Sequence, residues 1–374
     1  VTALTRLHTV AAARAALDGG TLPDLWSTAR EAGWTGLRVS EDRGGAGLGL
    51  YDAMILLEEC GRRLTGHGLI GHLAATTLLD AAAAAADETA AQLLLGLCAG
   101  EQRAAVLFPR PSGTPQTWTI EGPGGDQRHV PLPRARSLDG DLLLSGVAGA
   151  TLDLAGADVI IVPAVTEDGE LVVGLVEAAG TGVLVEVIDS YDASRPLATL
   201  RLDDAPATQI LGAGPVAVEQ TWHDAQALLS TDALGVSEAA LEMGVAYAKD
   251  RHAFGRPIGS YQAIKQQLVE ILRLTERARS LCVGIGLAES AAPEQLPLAC
   301  ASARYAAEQA SSYATRTNIA VHGGVGATWE HDAPLFWRRA QLSRVLLGGE
   351  SAALDRVADD IINSARERAA AIAA

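Results

Sequence analysis

The 374-residue chain is 48% apolar and 20% charged, with 45 acidic against 29 basic side chains and a formal net charge of −16. That length allows two or three domains and a large core. The acidic balance excludes nucleic acid as a general partner, because such a surface repels phosphate backbones.

Residues 1–103 read as helices joined by short loops. VTALTRLHTVAAARAALDGG predicts an Ala-rich helix stopped at Gly19–Gly20, and without a continuous apolar core or a cleavage site it is not expected to be a signal peptide. LYDAMILLEECGRRL carries a helical apolar stripe, and LLDAAAAAADETAAQLLLGLCAG predicts two helical pieces broken near Asp87. Between them, Gly44, Gly45, Gly47 and Gly49 demand an irregular loop. No GxxxxGK[ST] follows it and no strand precedes it, so it lacks the marks of a phosphate-binding loop.

The pattern changes over 104–212. LLLSGV, DVIIVPAV, LVVGLVEA, VLVEVI and LATLRLDDA are short, β-branched and separated by Gly, Asp or Pro, which predicts an antiparallel sheet or barrel. RPSGTPQTWTIEGPGGDQRHVPLP is polar and rich in Pro and Gly, and reads as a mobile loop. From 213 to 374 the period is helical again: one helix over 216–250, and another after Pro257 with Ile264, Leu268, Ile271, Ala278 and Leu281 on one stripe. Two more follow, in SARYAAEQASSYATRTNIAVH and RVADDIINSARERAAAIAA. Long antiparallel helices of this kind predict a four-helix bundle, so the fold expected is α+β, ordered helical, β, helical. Cys60, Cys98, Cys282 and Cys300 are scattered with no CxxC pair, which fits reduced thiols in the cytoplasm and no metal site. No apolar run approaches the ~18 residues that span a membrane.

RHAFGRPIGSYQAIKQQ, residues 251–267, holds more than a helix-to-helix connection needs: Arg251 and Phe254 stand before Gly255, Pro257 and Gly259. An Arg there can cap the preceding helix and a Phe can plug the bundle. The wider stretch YAKDRHAFGRPIGSYQAIKQQL resembles the R-x-x-F-G-x-P-I-x-x-[FY]-Q signature of the acyl-CoA dehydrogenase family. NIAVHGGVGATWEHDAPLFWRRA is similar to the family's second signature, and GLRVSEDRGGAGLGLYDAMILLEECGR to its N-terminal loop and helix.

The resemblance spans the chain and implies a tetrameric flavoprotein whose FAD lies across a subunit interface. Carried over, Arg251 would pair with the pyrophosphate and Phe254 would pack on the adenosine end of a flavin held by a neighbour. His322, Gly323 and Gly324 would let backbone approach that ligand, with Gln262 and Gln266 along the same groove. Gly323 also reads as a helix C-cap. Glu330 and His331 are adjacent and point apart, so an ion pair with Arg338 or Arg339 is expected there rather than a metal.

The family removes the α-proton of an acyl-CoA thioester with a carboxylate and passes the β-hydride to flavin. One family position for that carboxylate falls here on Gly348 or Gly349 in RVLLGGESAAL, and the other on Ala225 in TWHDAQALL. Glu350 and Asp224 are the nearest acids, each out of register. The family's loop for its own flavin ring, of T-E-P-x-x-G-S type, is reduced in AVLFPRPSGTPQTW to Pro109 and Ser112–Gly113. The chain therefore looks like the shorter subunit of an actinobacterial α2β2 enzyme acting on bulky thioesters such as steroid side chains, completing the adenosine end of FAD for a homologous partner that carries the base. A self-sufficient homotetrameric dehydrogenase, a scaffold that binds no flavin, and a monooxygenase or oxidase on the same fold remain open.

Overall fold

The computed structural model describes residues 4, 7, 9–66, 68–124 and 127–373. Among these residues the chain opens on α1 (Thr9–Ala16), α2 (Leu25–Glu31), α3 (Leu50–Arg62), α4 (Leu69–Ala84) and α5 (Glu88–Cys98). Asp87 ends the break between α4 and α5 as an N-cap, accepting from the Ala90 N–H at 2.9 Å. The glycine loop is structural. Ala46, Gly47 and Leu48 donate their N–H groups to Gly36, Val39 and Leu37, and a Cβ on Gly45 would lie 2.1 Å from the Val39 carbonyl oxygen.

Nine strands follow: β1 (Ala104–Val106), β2 (Thr119–Gly124), β3 (Gln127–Pro131), β4 (Arg134–Leu138), β5 (Asp141–Leu152), β6 (Val159–Val165), β7 (Leu171–Glu177), β8 (Val183–Ile188) and β9 (Leu197–Gln209). Most run β1-β6-β4-β5-β9-β7 in one sheet, with β8 on β9. Because β7 pairs with both β9 and β6, the ring closes into a barrel. The pairings of β6 with β1 and β4 are parallel, an exception to the antiparallel pattern. The polar Pro/Gly stretch expected to be a loop is instead largely the β2–β3 hairpin, Ile120 opposite Val130 and Glu121 opposite His129. Trp118 and Ile120 alternate into the core and hold it down.

The C-terminal part is α6 (Pro215–Asp250), α7 (Gln262–Ala291), α8 (Leu296–His322), α9 (Ala333–Ser343) and α10 (Gly349–Ala373). α8 packs against α6, α7 and α10, burying Ala303, Ala306, Ala307, Ala310 and Ala314, whose small side chains let the backbones approach. α3 crosses α6 closely enough that a Cβ on Gly61 would lie 2.0 Å from the Asp232 carbonyl and one on Gly235 1.9 Å from that of Glu58. On α7 the buried line runs through Ile271, Leu274, Ala278, Cys282 and Ile285. Leu281, placed on the stripe by spacing, faces outward because Cys282 takes the next turn's inward position.

Candidate functional site

Two features stand out: a surface constellation at one end of the bundle, and a cleft between barrel and bundle. At the bundle end, α6 stops at Asp250 with Arg251 as its C-cap residue, whose N–H donates to the Tyr247 carbonyl at 2.9 Å. The Arg251 side chain is exposed and pairs with no described residue. The chain then reverses in a hairpin, β10 (His252–Ala253) against β11 (Arg256–Pro257). The two turn residues, Phe254 and Gly255, have φ of 52° and 80°, the left-handed pair that a two-residue hairpin turn requires. Glycine adopts this freely, whereas an L side chain there costs about 1–2 kcal/mol.

Phe254 is nevertheless 98% exposed. It plugs nothing in this chain. The hairpin beneath it is braced, with the Tyr261 hydroxyl donating to the Ala253 carbonyl at 2.9 Å and the Arg256 guanidinium 4.2 Å over the Tyr261 ring. A large apolar ring is thus presented to solvent on a braced turn, at a conformational cost.

His322, the last residue of α8, is buried; its Nδ1 donates to the Asn318 carbonyl at 2.8 Å, which fixes the tautomer. Its ring lies between Tyr247 and His331, with centroids 4.2 and 4.1 Å away. That stack joins the ends of α6 and α8, so Arg251 and Gly323–Gly324 share one end of the bundle with Gln262, the exposed first residue of α7. Gln266 is exposed one turn further on. Gly323 is the C-cap, φ 64°, and its N–H is spent on the Ala320 carbonyl. An added Cβ at Gly323 or Gly324 would meet nothing within 4 Å, so bare backbone faces outward there. A guanidinium, a flat ring and bare backbone are the groups that receive an anionic nucleotide.

The expected ion pair at Glu330 and His331 is not formed. His331 stacks on His322 and its Nδ1 accepts the Ala333 N–H, and burial, with His322 adding, lowers its pKa. Arg338 lies over Tyr191 and Trp329, and Arg339 is buried against Asp192 and Asp232. The acid that does pair here is Asp332, with Arg14.

The cleft has a volume of about 640 Å³ and runs between the Arg110–Thr119 segment and the bundle. Glu219, Trp222, His223 and Gln226 face it from α6, spaced as one face of a helix, and Asp355 and Arg356 face it from α10. His223 Nε2 lies 3.4 Å from Glu219, a contact that lowers the Glu219 pKa, and Arg110 lies 3.6 Å from Asp355. Gly348 stands at the cleft wall. A Cβ there would lie 3.6 Å from Trp222 and 3.8 Å from Arg110, but only 2.7 Å from the Ala352 Cβ, and φ is 71°. A glutamate at 348 would require Ala352 to move.

Neither out-of-register acid reaches the cleft. The Glu350 carboxylate accepts from Gln309 and, at 3.1 Å, from Arg344. Asp224 lies on the opposite face of α6, buried in an ion pair with Arg38 and bonded to Gln220 at 2.7 Å. Ala225 is fully buried. Sequence reading missed Glu219 and His223, although the 219–222–223–226 spacing marks them as one face. It also missed Glu121, which reaches this corner through the hairpin and left no local signal.

A helical unit, a β-barrel and a long helical bundle, in this order, make up the architecture of a flavoprotein dehydrogenase. The chain belongs to the acyl-CoA dehydrogenase family, a family of FAD-binding flavoproteins: residues 3–101 match the acyl-CoA dehydrogenase N-terminal domain and 212–362 the C-terminal domain. It is 30% identical to the acyl-CoA dehydrogenase IpdE2 of Mycobacterium tuberculosis, over 95% of this chain and 92% of that one. It is 33% identical to FadE34 of the same organism over 87% of this chain, but spans only 40% of FadE34. Among solved structures, a variant of the Tcur3481–Tcur3483 steroid acyl-CoA dehydrogenase superposes with a TM-score of 0.80 at 27% identity, covering 98% of this chain and 96% of that one. The ChsE4–ChsE5 complex from M. tuberculosis shares the fold, with a TM-score of 0.76 at 23% identity over 91% and 88%.

FAD fits the two features unequally. The bundle end offers the groups its pyrophosphate and adenosine need. The span that corresponds to the family's ring-holding loop offers little: the Leu107, Arg110, Thr117 and Trp118 N–H groups are spent on Ile161, Thr119, Thr114 and Pro115. Leu107 and Phe108 are buried against a void of about 10 Å³, too small for a flat ring.

Proposed function

We propose that this chain is one subunit of a heteromeric acyl-CoA dehydrogenase, completing the adenosine and pyrophosphate end of an FAD held mainly by a homologous partner. The observation that carries this reading is Phe254, left-handed, braced and 98% exposed: such strain persists where function requires it. Arg251 forks onto the pyrophosphate, Phe254 covers the adenosine, and Gln262 with His322–Gly324 lines the approach. FAD supplies the hydride acceptor for α,β-dehydrogenation of the thioester. The proton acceptor comes from the partner, since Gly348 and Ala225 stand at the family's two positions and the acids beside them are paired elsewhere. One solved relative is a steroid acyl-CoA dehydrogenase, which supports a bulky acyl-CoA substrate. The cytoplasm is the compartment this reading assigns, and among the described residues no helix is long and apolar enough to cross a membrane.

Arg251→Ala tests the reading in the assembled complex. FAD binding should weaken by about 1.5–3 kcal/mol, the weight of a hydrogen bond to a charged group, and Arg251→Lys should recover part of it. Unchanged FAD affinity in both variants would reduce Arg251 to a helix-end residue.

A further inference from the structure

The turn that follows α9 is held from three sides. Leu347, Gly348 and Gly349 have φ of 51°, 71° and 57°, three left-handed residues in succession, one of them not glycine. Backbone of this kind persists only where its surroundings fix it. Two holders belong to the bundle: Gln226 Nε2 donates to the Leu347 carbonyl at 2.8 Å, and Arg304 Nη2 to the Leu346 carbonyl at 3.2 Å. The third comes from the barrel side, where Glu121 Oε1 accepts the Gly348 N–H at 3.1 Å.

This turn is a partition. On one side lies the open cleft of about 640 Å³. On the other, Leu346 and Leu347 press onto Leu107, Phe108, Thr151 and Leu152, and the void left between them is about 10 Å³, room for one water at most. The bundle holders would follow the turn if it swung away from the barrel. Glu121 is the holder that ties it to the barrel.

We propose that Glu121 is a positioning residue: by accepting the Gly348 N–H it keeps Leu346–Leu347 seated on Leu107–Phe108, and so shuts this crevice to any flat ring. The subunit reading is compatible with this latch, but the latch stands on the turn's geometry alone. The crevice at Leu107–Phe108 is closed to a ring because a carboxylate from the hairpin locks the turn against it.

The test uses the full chain purified alone, with riboflavin as probe. Riboflavin carries the ring without pyrophosphate or adenosine, so it does not report on Arg251 or Phe254, and the subunit reading can fail without touching this result. In the wild type and in Glu121→Gln, which keeps a carbonyl acceptor, the Gly348 amide should exchange slowly and riboflavin fluorescence should remain unquenched. In Glu121→Ala, exchange at Gly348 should quicken about tenfold, the weight of one hydrogen bond, and riboflavin should bind saturably. Glu121→Leu removes the acceptor while keeping bulk and replaces the Ala variant if that one does not fold. Unchanged exchange without the carboxylate overturns the proposal. So does saturable riboflavin uptake by the wild type, or faster exchange with no uptake in either acceptor-free variant.

Discussion

Phe254 sets local stability against function. Glycine at this position removes the left-handed strain of about 1–2 kcal/mol and gives back about 0.5–1 kcal/mol of chain entropy, so Phe254→Gly should stabilise the isolated chain by roughly 0.5–1 kcal/mol. A urea midpoint that rises with an unchanged slope measures this, and the same variant should retain less FAD in the complex. A midpoint that falls would mean the ring supports the fold. The acids near the family's base positions make the converse case. In the complex, Glu350→Gln and Asp224→Asn should each change the rate of flavin reduction by acyl-CoA less than about fivefold, where loss of a true base costs ~10²-fold or more. Asp224→Ala should instead destabilise the fold by about 1–3 kcal/mol, because it leaves the buried Arg38 guanidinium with only the longer contact to Glu289 at 3.4 Å. Residue types were legible here and their directions were not: TWHDAQALL shows an acid beside Ala225, but only the packed helix shows Asp224 facing Arg38 while Glu219 and His223 face the cleft.

Elements were easier to read than the joints between them. The 216–250 helix and the five longer strands carry their periods in sequence. β1 to β4 were missed because three residues of β1 hold no period and the β2–β3 hairpin hides in a Pro/Gly-rich span. His72 on α4 is such a joint, fully buried between the first helices and the barrel. Its Nδ1 accepts the Ala104 N–H at 3.1 Å, so its Nε2–H is the donor to the Thr35 carbonyl at 3.0 Å. Burial lowers its pKa from 6.5 to about 4. Between those values the unfolded chain binds more protons than the folded one, so stability is lost as pH falls through this window, by about 3 kcal/mol in all. Denaturant titrations at a series of pH values should show this slope, and His72→Gln should flatten it. An unaltered slope in the variant would assign the acid sensitivity to other groups.

At the scale of the whole molecule, a buried ionic cluster fastens the parts together. Arg339 on α9 contacts Asp192, Ser194 and the Thr65 carbonyl, and Arg339 and Arg195 both meet Asp232 on α6. The Arg-rich helix was visible in the sequence, but its partners lie more than a hundred residues away and could not be read locally. The family was legible because its signatures are local strings. The proposed division of labour rests on missing residues, and beside them the structure has an exposed Arg251 and Phe254 at the bundle end and a crevice of about 10 Å³ at Leu107–Phe108. The central claim is that the half-site serves another chain's flavin. Flavin content of the purified protein, by absorbance against protein concentration, tests it most directly. Alone, the chain should be colourless or carry far less than one FAD, and co-purified with its partner it should carry about one FAD per pair of chains, as a half-site completing one nucleotide requires. A lone chain that is fully yellow and turns over acyl-CoA would contradict the account.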